Sequence, residues 1–158
     1  MSRIARRATV LPALAGSMAT LGPVAAAQAS NASLRTTVKS DVPRILHSQA
    51  RILDGLAVLA KTKSVKPLLH AIRAQDRNLS ALKVKLSGQS ASSATGMKGK
   101  HDIIRGLTLV THANSTLVRD LAKAASGRAV SKAQVKAAST ATKRGNVDIN
   151  LGGKLLKA

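Results

Sequence analysis

IIRGLTLVTHANSTLVRDLAKA, residues Ile103 to Ala124, sets Ile103, Leu107, Val110, Asn114, Leu117, Leu121 and Ala124 alternately four and three residues apart. That seven-residue repeat draws one apolar stripe down one side of a helix. Ile104, Val118 and Ala125 flank the stripe and widen it beyond a two-stranded seam, towards the face a helix presents inside a bundle.

Three other segments carry the same spacing. Leu34, Val38, Val42, Ile45, Gln49, Ile52, Leu56 and Leu59 predict a first helix over about 32–60. Pro43 interrupts it, so either the helix begins at Asp41 with Pro43 in its first turn, or one long helix kinks there. The stripe continues on both sides of Pro43, which favours the long helix. Val65, Leu68, Ile72, Gln75, Leu79, Leu82 and Leu86 predict a second helix over 64–87, with Ser64 as its cap, Pro67 in its first turn and Gly88 at its stop. Gln89 to Gly99 reads as a linker, or in its Ser-Ala part as the opening turns of a third helix expected over about 100–126, stopped at Gly127. Ser131 and Gln134 form a capping box with Val130 and Val135 at the staple positions, opening a fourth helix over about 131–157. Its stripe, Val135, Ala138, Thr142, Gly145, Ile149, Gly152 and Leu156, is thin, and its glycines make the part after Arg144 dependent on packing. Helices of matched length with short first and third connections give an all-α fold, an antiparallel up-down-up-down four-helix bundle. A three-helix bundle with a mobile fourth segment is the alternative.

The N-terminus carries a different signal. Arg3, Arg6 and Arg7 precede an uncharged, mostly apolar run from Ala8 to Leu21, and Ala27-Gln28-Ala29 is the small-x-small pattern of a signal-peptidase site. Residues 1–29 are therefore expected to be a cleaved signal peptide, leaving 30–158 as a single domain, secreted or held in the cell envelope. The Arg6-Arg7 pair leaves the export route open between the general and the twin-arginine pathways.

Composition narrows the function. The 158 residues hold 26 Lys and Arg against 6 acids, all Asp, with no Phe, Tyr, Trp or Cys. Without Arg3, Arg6 and Arg7, 23 bases stand against 6 Asp, or +17. No aromatic platform exists for stacking bases or sugars, which removes the usual contacts of sequence-specific single-strand recognition. No cysteine means no disulfide frame and no thiolate metal site.

Four polar residues interrupt the stripes: Gln49, Gln75, Asn114 and Thr142, each near the middle of its helix. Antiparallel packing would bring them together as a polar layer, fixing helix register or holding a small polar ligand or ion. His47, His70, His101 and His112 lack metal-ligand spacing and read as surface or boundary residues, and no nucleophile elbow occurs. No cofactor or catalytic role is expected. The bases are spread evenly, with local concentrations at Lys98, Lys100, Lys143 and Arg144 as candidate polyanion contacts. Lys132-Ala133-Gln134-Val135-Lys136-Ala137-Ala138 resembles the basic tails of linker histones and histone-like proteins in its Ala, Lys and Ser balance alone, and no function follows from it. The expected role is a structural or binding one, through nonspecific contact with anionic envelope polymer or lipid headgroups. A membrane-active factor, and a small-ligand or ion binder using the polar layer, are the alternatives.

Overall fold

A computed structural model describes residues 31–91 and 93–157. The expected signal peptide and its Ala27 and Ala29 cleavage signal lie outside the described residues. Those described form four helices and no strand: α1 (Ala32–Thr62), α2 (Lys66–Ser87), α3 (Ala94–Ala125) and α4 (Lys132–Lys157). The arrangement is that of a four-helix bundle. No helix among the described residues is long and apolar enough to cross a membrane.

α1 runs through Pro43 rather than starting at Asp41. Pro43 and Lys39, whose carbonyl loses its helical partner to the proline ring, are both exposed residues. Lys63 ends the helix in the left-handed region at φ 59°, its N–H donating to the Leu59 carbonyl over 3.0 Å. Ser64 is not the cap of α2, as the sequence suggested. It lies in a three-residue turn, its N–H donating to Thr62 Oγ1, while Val65 is turned into the core at the position before the first helical residue. Gly88 closes α2 with an ordinary φ of −75°, so that stop does not use glycine's freedom.

α3 begins at Ala94, earlier than the expected residue 100. Ser93 caps it, Oγ accepting the Gly96 N–H at 3.0 Å, so Ala94 to Gly99 of the expected linker are helix while Ser90 and Ala91 remain outside it. Its end is a Schellman turn: Gly127 at φ 73°, with the Arg128 N–H returned to the Lys123 carbonyl and the Gly127 N–H to that of Ala124. Ser131 Oγ accepts the Gln134 N–H at 3.4 Å at the start of α4.

Cross-helix pairs show how the helices lie together. Asp41 meets Lys85 while Gly55 meets Leu68, so α1 and α2 run in opposite directions. Lys100 reaches the Ser87 carbonyl while Asn114 meets Gln75, ordering α2 against α3 in the same way. α3 and α4 make the closest association. Gly99 faces Gly152 and Gly106 faces Gly145, pairs seven residues apart on each helix. A Cβ on Gly145 would stand 2.7 Å from the Gly106 carbonyl oxygen, and one on Gly99 2.9 Å from that of Gly152. These contacts are backbone to backbone, so no rotamer change relieves them. α1 and α4 meet thinly, with Arg35 donating to the Leu156 carbonyl at the end of the seam.

The stripes fill the interior in two clusters. Leu34, Val38, Ile45, Leu79, Leu82, Leu86, Ile103, Leu107, Val110, Ile149 and Leu156 form one, and Ile52, Leu59, Val65, Leu68, Ala71, Ile72, Ala113, Leu117 and Ala138 the other. The packing makes opposite predictions for two glycines. Gly106→Ala places a Cβ 2.9 Å from the Ile149 backbone nitrogen as well as against the Gly145 carbonyl, and should destabilise by about 3 kcal/mol, the upper range for overpacking, despite the better helix propensity of Ala. Gly88→Ala meets nothing nearer than 3.8 Å at a permissive φ and should stabilise by about 0.5–1 kcal/mol. Thermal unfolding followed by circular dichroism checks both.

Candidate polyanion-binding surface

The two apolar clusters are divided by the four polar stripe residues. Along α1, Gln49 lies between Ile45 of one cluster and Ile52 of the other; Gln75 lies likewise between Ile72 and Leu79, Asn114 between Val110 and Leu117, and Thr142 between Ala138 and Ile149. All four are buried. Asn114 Nδ2 donates to Gln75 Oε1 over 3.3 Å, whereas Thr142 satisfies its hydroxyl on the Ala138 carbonyl of its own helix. Gln49 Nε2 and Asn114 Oδ1 have no protein partner. The bonded pair joins α2 to α3, and the other two residues do not extend it into a ring. A one-residue slip would leave two buried amides unpaired, which is how such a pair fixes register.

An acid lies beside this layer that the sequence pattern did not single out. Asp76, adjacent to Gln75, is half-buried with an unpartnered Oδ1. Burial pushes its carboxyl above the usual carboxylate range, and a hydrogen bond with Asn114 opposes that only in part. The folded state thus holds the proton more tightly than the unfolded chain, so Asp76 opposes folding progressively as pH rises through its raised pKa. Asp76→Asn should raise the melting temperature at neutral pH and leave it nearly unchanged near about pH 3, where either form is neutral. A melting series against pH tests this.

The other carboxylates are mostly withdrawn from solvent. Asp41 is bound by Lys85 Nζ at 2.7 and 2.8 Å, and Asp148 by Arg105 in a fork of 2.9 and 2.7 Å. Asp102 takes Lys98 at 3.0 Å, whose hydrogen bond holds its carboxyl below the usual range. Asp120 has Lys123 at 3.8 Å. These four are buried, Asp76 is half-buried, and Asp54 alone of the six is exposed. Among the described residues the bases are exposed, except for Lys83, Lys100 and Lys123, which are half-buried, and Arg35, which is buried with one guanidinium nitrogen unpartnered. The outer surface therefore carries more of the positive charge than the net figure implies.

The candidate polyanion contacts differ from one another. Lys98 is ion-paired, and Lys100 donates to the Ser87 and Gln89 carbonyls, fastening the α2–α3 connection. A shallow cavity of about 530 Å³ opens there, lined by Gln89, Met97, Lys100, His101 and Ile104 among others. Lys143 and Arg144 stand exposed on α4. The four histidines are all exposed, and among the described residues no group of three His or Asp side chains could hold a metal ion. No known protein family, curated protein or solved structure matches the chain.

Proposed function

We propose that the chain is an exported up-down-up-down bundle that attaches itself, through its cationic surface, to anionic polymer of the cell envelope or to anionic lipid headgroups. The observation that carries this is the segregation of charge: four of six carboxylates are buried while exposed bases stand on every helix. A surface of that kind attracts polyanions by counterion release, and its even spread, with no aromatic residue to stack on a base, gives little selectivity between them. The oppositely directed helix pairs support the up-down-up-down order, and the Ala27-Gln28-Ala29 pattern supports export.

Export predicts that protein recovered from medium or envelope begins at Ser30. N-terminal sequencing decides it, and recovery of intact Met1 chains from the cytosol alone overturns it. Attachment predicts a linear fall of log affinity with log salt for acidic polysaccharide, polyphosphate and anionic vesicles alike. Lys143→Glu with Arg144→Glu should weaken all three by a similar factor, with the salt slope reduced by about 1 for each anionic group no longer neutralised. A tight, salt-insensitive preference for one ligand overturns nonspecific attachment.

A further inference from the structure

The outward face of α4 sets two exposed large apolar side chains one turn apart among bases, whereas Val84 on α2 and Met97 on α3 stand exposed singly. Val147 and Leu151, one turn apart, are 56% and 48% exposed. At helical spacing around them stand Lys136, Lys143, Arg144 and Lys154, all exposed, with the uncharged Thr140 between. α4 has one carboxylate, Asp148, and the Arg105 fork holds it buried against α3. The exposed strip is thus apolar in the middle, cationic along its length and free of negative charge. The exposed leucines of α1, Leu46 and Leu53, do not share this character, because they stand two turns apart and Asp54, the one exposed carboxylate among the described residues, adjoins Leu53.

We infer that the outer face of α4 is the part of the protein that seats on an anionic lipid surface, with Val147 and Leu151 entering the headgroup boundary and Lys136, Lys143, Arg144 and Lys154 pairing with lipid phosphates. A soluble polyanion gives the cations partners but leaves Val147 and Leu151 in water. An anionic bilayer satisfies both, since apolar side chains gain by leaving water and each base near the surface is attracted to it. The face is shallow, two side chains deep along one helix, which suits reversible attachment rather than insertion. The inference rests on the proposed polyanion attachment and adds to it which helix meets lipid and how.

The absence of cysteine makes the test local. In the full chain, single Leu151→Cys and Leu53→Cys variants carry an environment-sensitive fluorophore, and each is titrated with vesicles of phosphatidylglycerol and phosphatidylcholine, with phosphatidylcholine alone, and with polyphosphate. The label at 151 should shift to the blue with the anionic vesicles only, and the label at 53 should not. In parallel, Val147→Gln with Leu151→Gln, both exposed positions where Gln keeps helix propensity, should weaken binding to anionic vesicles about tenfold. Binding to polyphosphate should stay unchanged. A shift at 53 but not at 151, or equally weakened binding of both ligands by the double variant, overturns the lipid face while leaving polyanion attachment intact. Absence of salt-dependent binding by the parent to any of these ligands overturns the attachment itself.

Discussion

Two helical backbones in direct contact constrain everything else in this bundle. Where Gly99 lies against Gly152 and Gly106 against Gly145, α3 and α4 approach so closely that a methyl group would collide with a carbonyl. The glycines carry an intrinsic helix cost of about 1 kcal/mol each relative to Ala, offset by dispersion contacts along the seam that no larger residue permits. The close approach brings Asp148 within the reach of Arg105 and sets Ile149 beside the Ile103 and Leu107 stripe. α4 has too few large apolar residues to pack as an ordinary amphipathic helix. Proximity substitutes for bulk.

Charge is the second constraint. A chain with 26 bases and 6 acids repels itself, and the usual remedy of surface ion pairs would scatter the few carboxylates outside. Here Asp41, Asp102 and Asp148 are buried inside their helices, and Lys85, Lys98 and Arg105 reach them from exposed positions. Each such pair has one partner largely in solvent, so the desolvation cost falls on the carboxylate while the base stays hydrated. The arrangement leaves the bundle ordered inside and almost uniformly positive outside.

The helices and their buried stripes were legible because a seven-residue apolar repeat sustained over several turns matches one periodicity, that of a helix buried along one side. Gln49, Gln75, Asn114 and Thr142 stood out as its polar exceptions. The role of the glycines was not legible. Gly145 and Gly152 fall on the α4 stripe, whereas Gly99 closes the expected linker and Gly106 lies off the α3 stripe, and a sequence does not say whether a helical glycine merely weakens its helix or meets another backbone. Ser93 was missed as the start of α3 because the stretch before it offers several serines, any of which could cap. Ser64 points to a cap that α2 does not use: after the left-handed Lys63 the buried Val65 takes the cap position, with no side-chain capping bond. The ion pairs were hidden for a plain reason: Arg105 and Asp148 lie on different helices, 43 positions apart, and neither residue type announces its partner. Lys98 and Lys100 looked like their neighbours in composition, yet both are engaged, Lys98 by Asp102 and Lys100 at the α2–α3 connection.

The unequal seams divide the molecule into two hairpins, α1 with α2 and α3 with α4, joined along the α2–α3 side and touching thinly where α1 meets α4. Such a structure opens like a book whose spine is the Gln75–Asn114 bond and the neighbouring side chains. Spreading the covers breaks the Arg35 link to the end of α4 and parts the α1 and α4 members of the shared aliphatic cluster, while each hairpin keeps its own contacts. Partial unfolding therefore has a preferred direction, and it exposes the aliphatic interior along one edge before either hairpin melts.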